Sequence, residues 1–115
     1  MHGAILTETF DRQAKRAKLT EEELMEIVAT IAGDPLGGEL IVGTGGARKM
    51  RHAGRGKGKS GGFRTIHYFG GDDVPLFLLS IYGKNQKSDL TAAERKDLAS
   101  LLPRIADAYR KGTRS

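Results

Sequence analysis

Residues 43–64 read GTGGARKMRHAGRGKGKSGGFR, a glycine-rich basic run without an acidic residue, built from side chains that hold phosphate and move protons around it. From residue 40 to residue 71 there are seven Lys or Arg (Arg48, Lys49, Arg51, Arg55, Lys57, Lys59 and Arg64) and no Asp or Glu. The other 83 residues hold twelve basic and fourteen acidic side chains, so the chain's net charge of +5 originates in this one stretch. A local positive field of that kind points to nucleic acid or another polyanion. A solvated loop is the bland alternative, but strand signals on its flanks and interleaved glycines argue against simple disorder. Lys49 and Arg51 stand two apart and share a face if their segment is extended, which lays two cations along one track.

The rest of the chain bounds what this charge can serve. At 115 residues the chain is one domain, 1–115, and with 38% hydrophobic and 29% charged residues it has the composition of a soluble globular protein. No apolar run approaches the roughly 20 residues of a membrane helix. The opening MHGAILTETFDRQAKRAK lacks the basic start, long apolar stretch and cleavage site of a secretory signal, so a cytoplasmic protein without a membrane role is expected. There is no cysteine, and His2, His52 and His67 show no i, i+4 spacing, so neither a metal nor another cofactor is expected. Residues 53–60, AGRGKGKS, imitate the end of a nucleotide-binding loop. That motif needs a helix after Ser60, whereas Gly-Gly and the β-patterned FRTIHYF follow, so nucleotide hydrolysis is set aside.

Residues 4–6 form a short apolar segment fit for a first strand, and Thr7 is a plausible cap for a helix over 8–18 with Phe10, Ala14 and Ala17 on one face. Thr20 and Glu23 make a capping box for a second helix to about Ala32, in which Leu24, Ile27, Val28 and Ile31 form the apolar stripe. The period then changes. Residues 39–42 and 47–52 are candidate short strands, and 62–69 and 75–82 stronger ones joined by a turn at 70–73. The last strand is apolar on both sets of alternate residues, as a strand covered on both faces would be. A second capping box, Thr91 with Glu94, starts a C-terminal helix. Leu98, Leu101, Leu102, Ile105 and Tyr109 form its expected stripe, and Pro103 is expected to kink or divide it. The order is strand, two helices as an antiparallel hairpin, three or four antiparallel strands, and a helix: a compact α+β domain.

With these elements in place, GTGGARKMRHAGRGKGKSGGFRTIHYF followed by SIYGKNQKSDLTAAE resembles the RelE/HigB-type toxins of bacterial toxin–antitoxin operons, especially a HigB-like branch with a long glycine-rich hairpin. The resemblance covers roughly residues 5–102. It rests most specifically on GTGG-x-RK-x-R, on GK-x-GG-x-R before a strand, and on Y-x-KN-x-K-x-DLT after the last strand. It implies a helical hairpin packed on a small, mainly antiparallel sheet of three to five strands with a C-terminal helix. It also implies an endoribonuclease that cleaves mRNA in the ribosomal decoding site without a metal, and a cognate antitoxin, in the HigB branch usually a helix-turn-helix, HigA-like protein.

Metal-free RNA cleavage uses the 2′-hydroxyl as nucleophile, so the site must take its proton, stabilise the phosphorane and protonate the departing 5′ oxygen. Arg64 matches the family's arginine at the start of its strand and is the candidate clamp for the scissile phosphate, while Lys49 and Arg51 match basic positions of the family site. Lys49 and Lys59 are candidate general bases if crowding or burial depresses their pKa. Tyr82 is a candidate for base stacking or proton transfer, with the core rim as its structural alternative, and Lys84 matches the family's basic residue after the glycine. Arg48, His52, Arg55 and Lys57 are expected to contact RNA or ribosomal RNA backbone. His67, inside a strand, reads as a core or sheet residue. Some members have a basic residue where Asn85 stands and a tyrosine soon after, which this chain lacks, so the general base and acid are left open. Two other functions fit the same resemblance or charge: a ParE-like inhibitor of DNA gyrase, and a non-catalytic RNA-binding module.

Overall fold

Thr7 and Thr20 begin the two N-terminal helices through their own hydroxyls. In the computed structural model, which describes residues 3–53, 62–83 and 90–113, Thr7 Oγ1 accepts from the Phe10 N–H at 3.2 Å and α1 (Glu8–Arg16) follows. Thr20 and Glu23 exchange bonds of 3.1 and 2.8 Å in a complete capping box at the start of α2 (Glu21–Gly33). The first helix stops two residues before the expected Lys18. There Lys18 adopts φ +59°, its N–H bonds the Lys15 carbonyl at 3.0 Å, and the Leu19 N–H bonds the Ala14 carbonyl at 3.3 Å. This paired 5→2 and 6→1 closure satisfies the last carbonyls and reverses the chain into α2, leaving Ala17 exposed.

Five strands form one mixed sheet in the order β1-β5-β4-β3-β2: β1 (Ala4–Leu6), β2 (Glu39–Leu40), β3 (Ala47–His52), β4 (Phe63–Phe69) and β5 (Leu76–Gly83). β1 pairs parallel with β5, Ala4 opposite Leu76; the other pairs are antiparallel. β5 lies between β1 and β4, and its side chains divide between two cores. Leu76, Leu78 and Ile81 meet Phe10, Ala14, Ile27 and Ile31 of the helical hairpin. Phe77, Leu79 and Tyr82 pack with Leu102 and Ala106 of α3 (Ala92–Thr113). Helices therefore cover both faces, as the doubly apolar β5 sequence anticipates. A bulge shifts the β4–β5 register between Ile66, opposite Ser80, and His67, opposite Leu78.

Two expectations about α3 change. Thr91 and Glu94 cap it reciprocally as anticipated, at 3.1 and 2.8 Å, but Pro103 does not divide it: Ala92–Thr113 is one helix. Pro103 faces solvent beside buried Leu102, and Ala99, whose carbonyl loses its intrahelical donor, is an exposed residue too. The buried stripe is also narrower. Leu98, Leu102, Ile105 and Ala106 make it, whereas Leu101 sits roughly 85° from the centre of that stripe and Tyr109 lies beyond the last core contact, and both are exposed.

The expected strand over 39–42 ends at Leu40, because residues 43–46 are spent on a tight reversal into β3. Gly43, Gly45 and Gly46 take φ values of +86°, +80° and +127°, conformations that side chains resist. Between them Thr44 is fully buried, its Oγ1 donating to the Ile41 carbonyl at 2.7 Å and accepting from the Ala47 N–H at 3.0 Å. The GTGG motif is thus the internally bonded turn that starts β3.

Candidate active site

Strand register decides which basic residues can act together. In an antiparallel ladder directly opposed residues project from the same face, and alternate residues of one strand share it. Arg51 is opposite Arg64, and Arg64 is opposite Tyr82, so three strands contribute one row. Lys49 is two residues before Arg51, opposite Ile66 on one side and Glu39 on the other. Lys49, Arg51 and Arg64 therefore occupy the face that carries α3, on which Ile66 and Tyr82 belong to the core under that helix.

β2 begins at Glu39, level with Lys49, so β3 runs past it. The resulting recess is a cleft of about 330 Å³ lined by Gly38, Glu39, Lys49, Met50, Arg51 and Arg64. Gly38 makes its near wall. It has φ +77°, and a Cβ there would run into the Lys49 carbonyl, so only glycine lets the chain approach this closely. Glu39, the acid in the wall, comes within 3.9 Å of Lys49 Nζ and is largely exposed. Sequence reasoning treated Glu39 only as the start of a strand; its part in the cleft follows from the two-residue pairing with β3, which no local signal marks.

The remaining expected site residues divide between two places. Arg48 and His52 alternate with Lys49 and Arg51 and so face the helical hairpin, on the far side of the sheet from the basic row. Arg48 Nε donates to the Gly37 carbonyl at 3.1 Å, fastening the loop before β2. His52 Nε2 lies 2.8 Å from Thr65 Oγ1, and burial, reinforced by nearby His67, lowers its pKa. Arg55, Lys57, Lys59 and Lys84 lie outside the described residues.

Tyr82 completes the row, but the residue is only 7% exposed and packs in the α3-side core. No open ring face remains for a base to stack on, so its link to the site is its position beside Arg64. His67 is fully buried. Its Nε2 donates to the Pro35 carbonyl at 2.9 Å, which leaves Nδ1 as a buried lone pair without a hydrogen-bond partner among the described residues. Burial pushes its pKa down, with Arg48 adding to the effect and the Pro35 bond and Asp34 opposing it, so the ring is a neutral core element.

Two arginines directly opposed on neighbouring strands, with a lysine one row along, concentrate positive charge on one face of the sheet. Arginine forks present paired donors to two oxygens of a phosphate, and the lysine adds a mobile point charge. The cleft is thus suited to a phosphodiester whose charge grows during reaction. Among the described residues no helix is long and apolar enough to cross a membrane, and no group of three His, Asp or Glu side chains converges as metal ligands do.

A family model, described as the RelE toxin of the RelE/RelB toxin–antitoxin system, matches residues 4–112. The match runs from β1 through α3 and takes in every element that shapes the cleft. The chain therefore belongs to the RelE toxin family, as the toxin of a toxin–antitoxin system with a cognate antitoxin as partner.

Proposed function

We propose that this toxin is a ribosome-dependent endoribonuclease that stops translation by cutting mRNA in the decoding site without a metal. The observation that carries the reading is the Arg51–Arg64 pair with Lys49 alongside, gathered in one cleft on one face of the sheet. In the reaction the 2′-hydroxyl loses its proton and attacks the adjacent phosphorus, forming the 2′,3′-cyclic phosphate. The P–O5′ bond breaks, and the 5′ oxygen leaves with a proton. Arg64 clamps the scissile phosphate, and Arg51 and Lys49 stabilise the extra charge on the phosphorane. Lys49 and Lys59 are the candidates to accept the 2′ proton. Tyr82, next to Arg64, and Lys84, which follows β5, are the candidates to complete proton transfer. Arg55 and Lys57 extend the positive field toward ribosomal RNA.

The cleft is small, and among the described residues its lining is mostly charged groups suited to phosphate, which fits an enzyme whose substrate is held in register by the ribosome. We place the chain in the HigB-like branch, acting in the cytoplasm against a helix-turn-helix, HigA-like antitoxin. Primer extension on a defined message tests the reading. Cuts are expected at the codon in the decoding site when translating ribosomes are present and nowhere on naked message. Intact message in both, with loss of supercoiling by purified gyrase, would assign the protein to the ParE-like inhibitors instead. Intact message with tight ribosome binding would make it a passive binder.

A further inference from the structure

Directly behind the basic row, on the opposite face of the same two strands, His52 bonds Thr65 across the β3–β4 ladder. His52 follows Arg51 and Thr65 follows Arg64, so each partner is the chain neighbour of one arginine. The two are diagonal in register: His52 pairs with Phe63, and Thr65 lies two residues further along β4. The 2.8 Å bond therefore ties together the last residue of β3 and the interior of β4.

This end of the sheet needs such a tie. Arg51 and Arg64 are directly opposed across the β3–β4 ladder, in the last pair but one before β3 ends at His52. The connection that follows, residues 53–62, is far longer than the two-residue turns that set hairpin register by themselves. β1 stops opposite Leu78 and β2 opposite Lys49, so neither outer strand reaches the Arg51–Arg64 level. Thr65 is fully buried and His52 half-buried, on the helical-hairpin side, so the bond is partly shielded from competing water.

We propose that the His52–Thr65 hydrogen bond is a positioning strut that holds Arg51 and Arg64 at the spacing the scissile phosphate requires. Neither residue touches substrate, and both act through the arginines beside them. The inference rests on the nuclease reading above for its consequence in turnover, and on the strand geometry alone for its consequence in arginine order.

The test uses the full-length protein and two readouts. Thr65→Val keeps the shape of the buried side chain and removes the hydroxyl, and Thr65→Ser restores the hydroxyl. In ribosome-programmed cleavage, Thr65→Val should lower kcat about tenfold, in line with the cost of a small misplacement of reacting groups, while KM for programmed ribosomes moves less than about twofold. Thr65→Ser should recover most of the rate, and adding His52→Ala to Thr65→Val should cost little more, because both remove one bond. The second readout needs no ribosome: the Nε–Hε NMR signals of Arg51 and Arg64 should show lower order in Thr65→Val than in the wild type. Unchanged arginine order would overturn the strut, as would a double variant whose losses add. A wild type that cuts no message yet shows the arginine effect would sink the nuclease reading and leave the strut supported.

Discussion

Thr44→Val separates a structural GTGG turn from a phosphate-binding one. The substitution conserves shape and removes both hydrogen bonds of a fully buried hydroxyl, to the Ile41 carbonyl at 2.7 Å and from the Ala47 N–H at 3.0 Å. The donor left behind on Ala47 is buried, and an unsatisfied buried donor costs about 1–3 kcal/mol. The Ile41 carbonyl loses a bond whose net worth is about 1 kcal/mol. Together the loss is about 2–4 kcal/mol, a large share of the roughly 5–15 kcal/mol that holds a domain of this size folded. Urea unfolding followed by far-UV circular dichroism measures it: with a slope of about 2 kcal/mol per molar, the midpoint should fall by about 1–2 M with the slope unchanged. Thr44→Ser should stay near the wild type. Cleavage per folded molecule, measured well below the transition, should match the wild type for both variants. A Thr44→Val protein within about 0.5 kcal/mol of wild-type stability would refute the turn assignment. A fully folded variant that no longer cuts would place the motif in the substrate site instead.

Three further outcomes follow from particular residues. Lys18 sits at φ +59° in the α1–α2 reversal, so Lys18→Gly should raise stability by up to about 1 kcal/mol, read as a higher urea midpoint; a lower midpoint would contradict the strain assigned there. Glu39→Gln removes the acid 3.9 Å from Lys49, and binding of a short oligoribonucleotide at low salt should tighten about 2- to 5-fold, with the gain lost at high ionic strength. His67 and His52 both have folded pKa values below that of an unfolded histidine, so below about pH 6.5 the unfolded chain binds more protons and stability falls with pH. Urea midpoints at pH 7.5 and 5.5 should therefore differ in the wild type and differ less in His67→Leu, with the residual difference belonging to His52.

What the sequence made legible was local. Thr20 with Glu23 and Thr91 with Glu94 announce their helices because both halves of a capping box lie three residues apart. The i, i+3, i+4 stripe of α2 and the doubly apolar β5 describe their own burial. The grouping of Lys49 with Arg51 follows from strand alternation, and the same rule, carried one residue either way, sends Arg48 and His52 to the far face. Joining Arg64 to that pair required the β3–β4 register, and placing Tyr82 beside it required the β4–β5 register past the bulge at Ile66/His67. Those are relations between strands, invisible within either. The GTGG segment is ambiguous for a related reason: glycine and threonine beside basic residues suit a phosphate loop and a tight hairpin equally, and the burial of Thr44 distinguishes them. Glu39 and Gly38 entered the cleft through a β2 pairing too short to leave a periodic signal.

The central claim is that the row of cations around Arg64 cleaves ribosome-bound message. Its most direct test compares wild type with Arg64→Ala on end-labelled mRNA in translating ribosomes, with sedimentation of the protein with ribosomes measured in the same samples. The account expects cuts at the decoding codon by the wild type, at least a hundredfold slower cutting by the variant, and equal co-sedimentation, since one oxyanion donor is worth about that much in rate. A variant that cuts as fast as the wild type, or that loses cutting only because it no longer binds ribosomes, would contradict it.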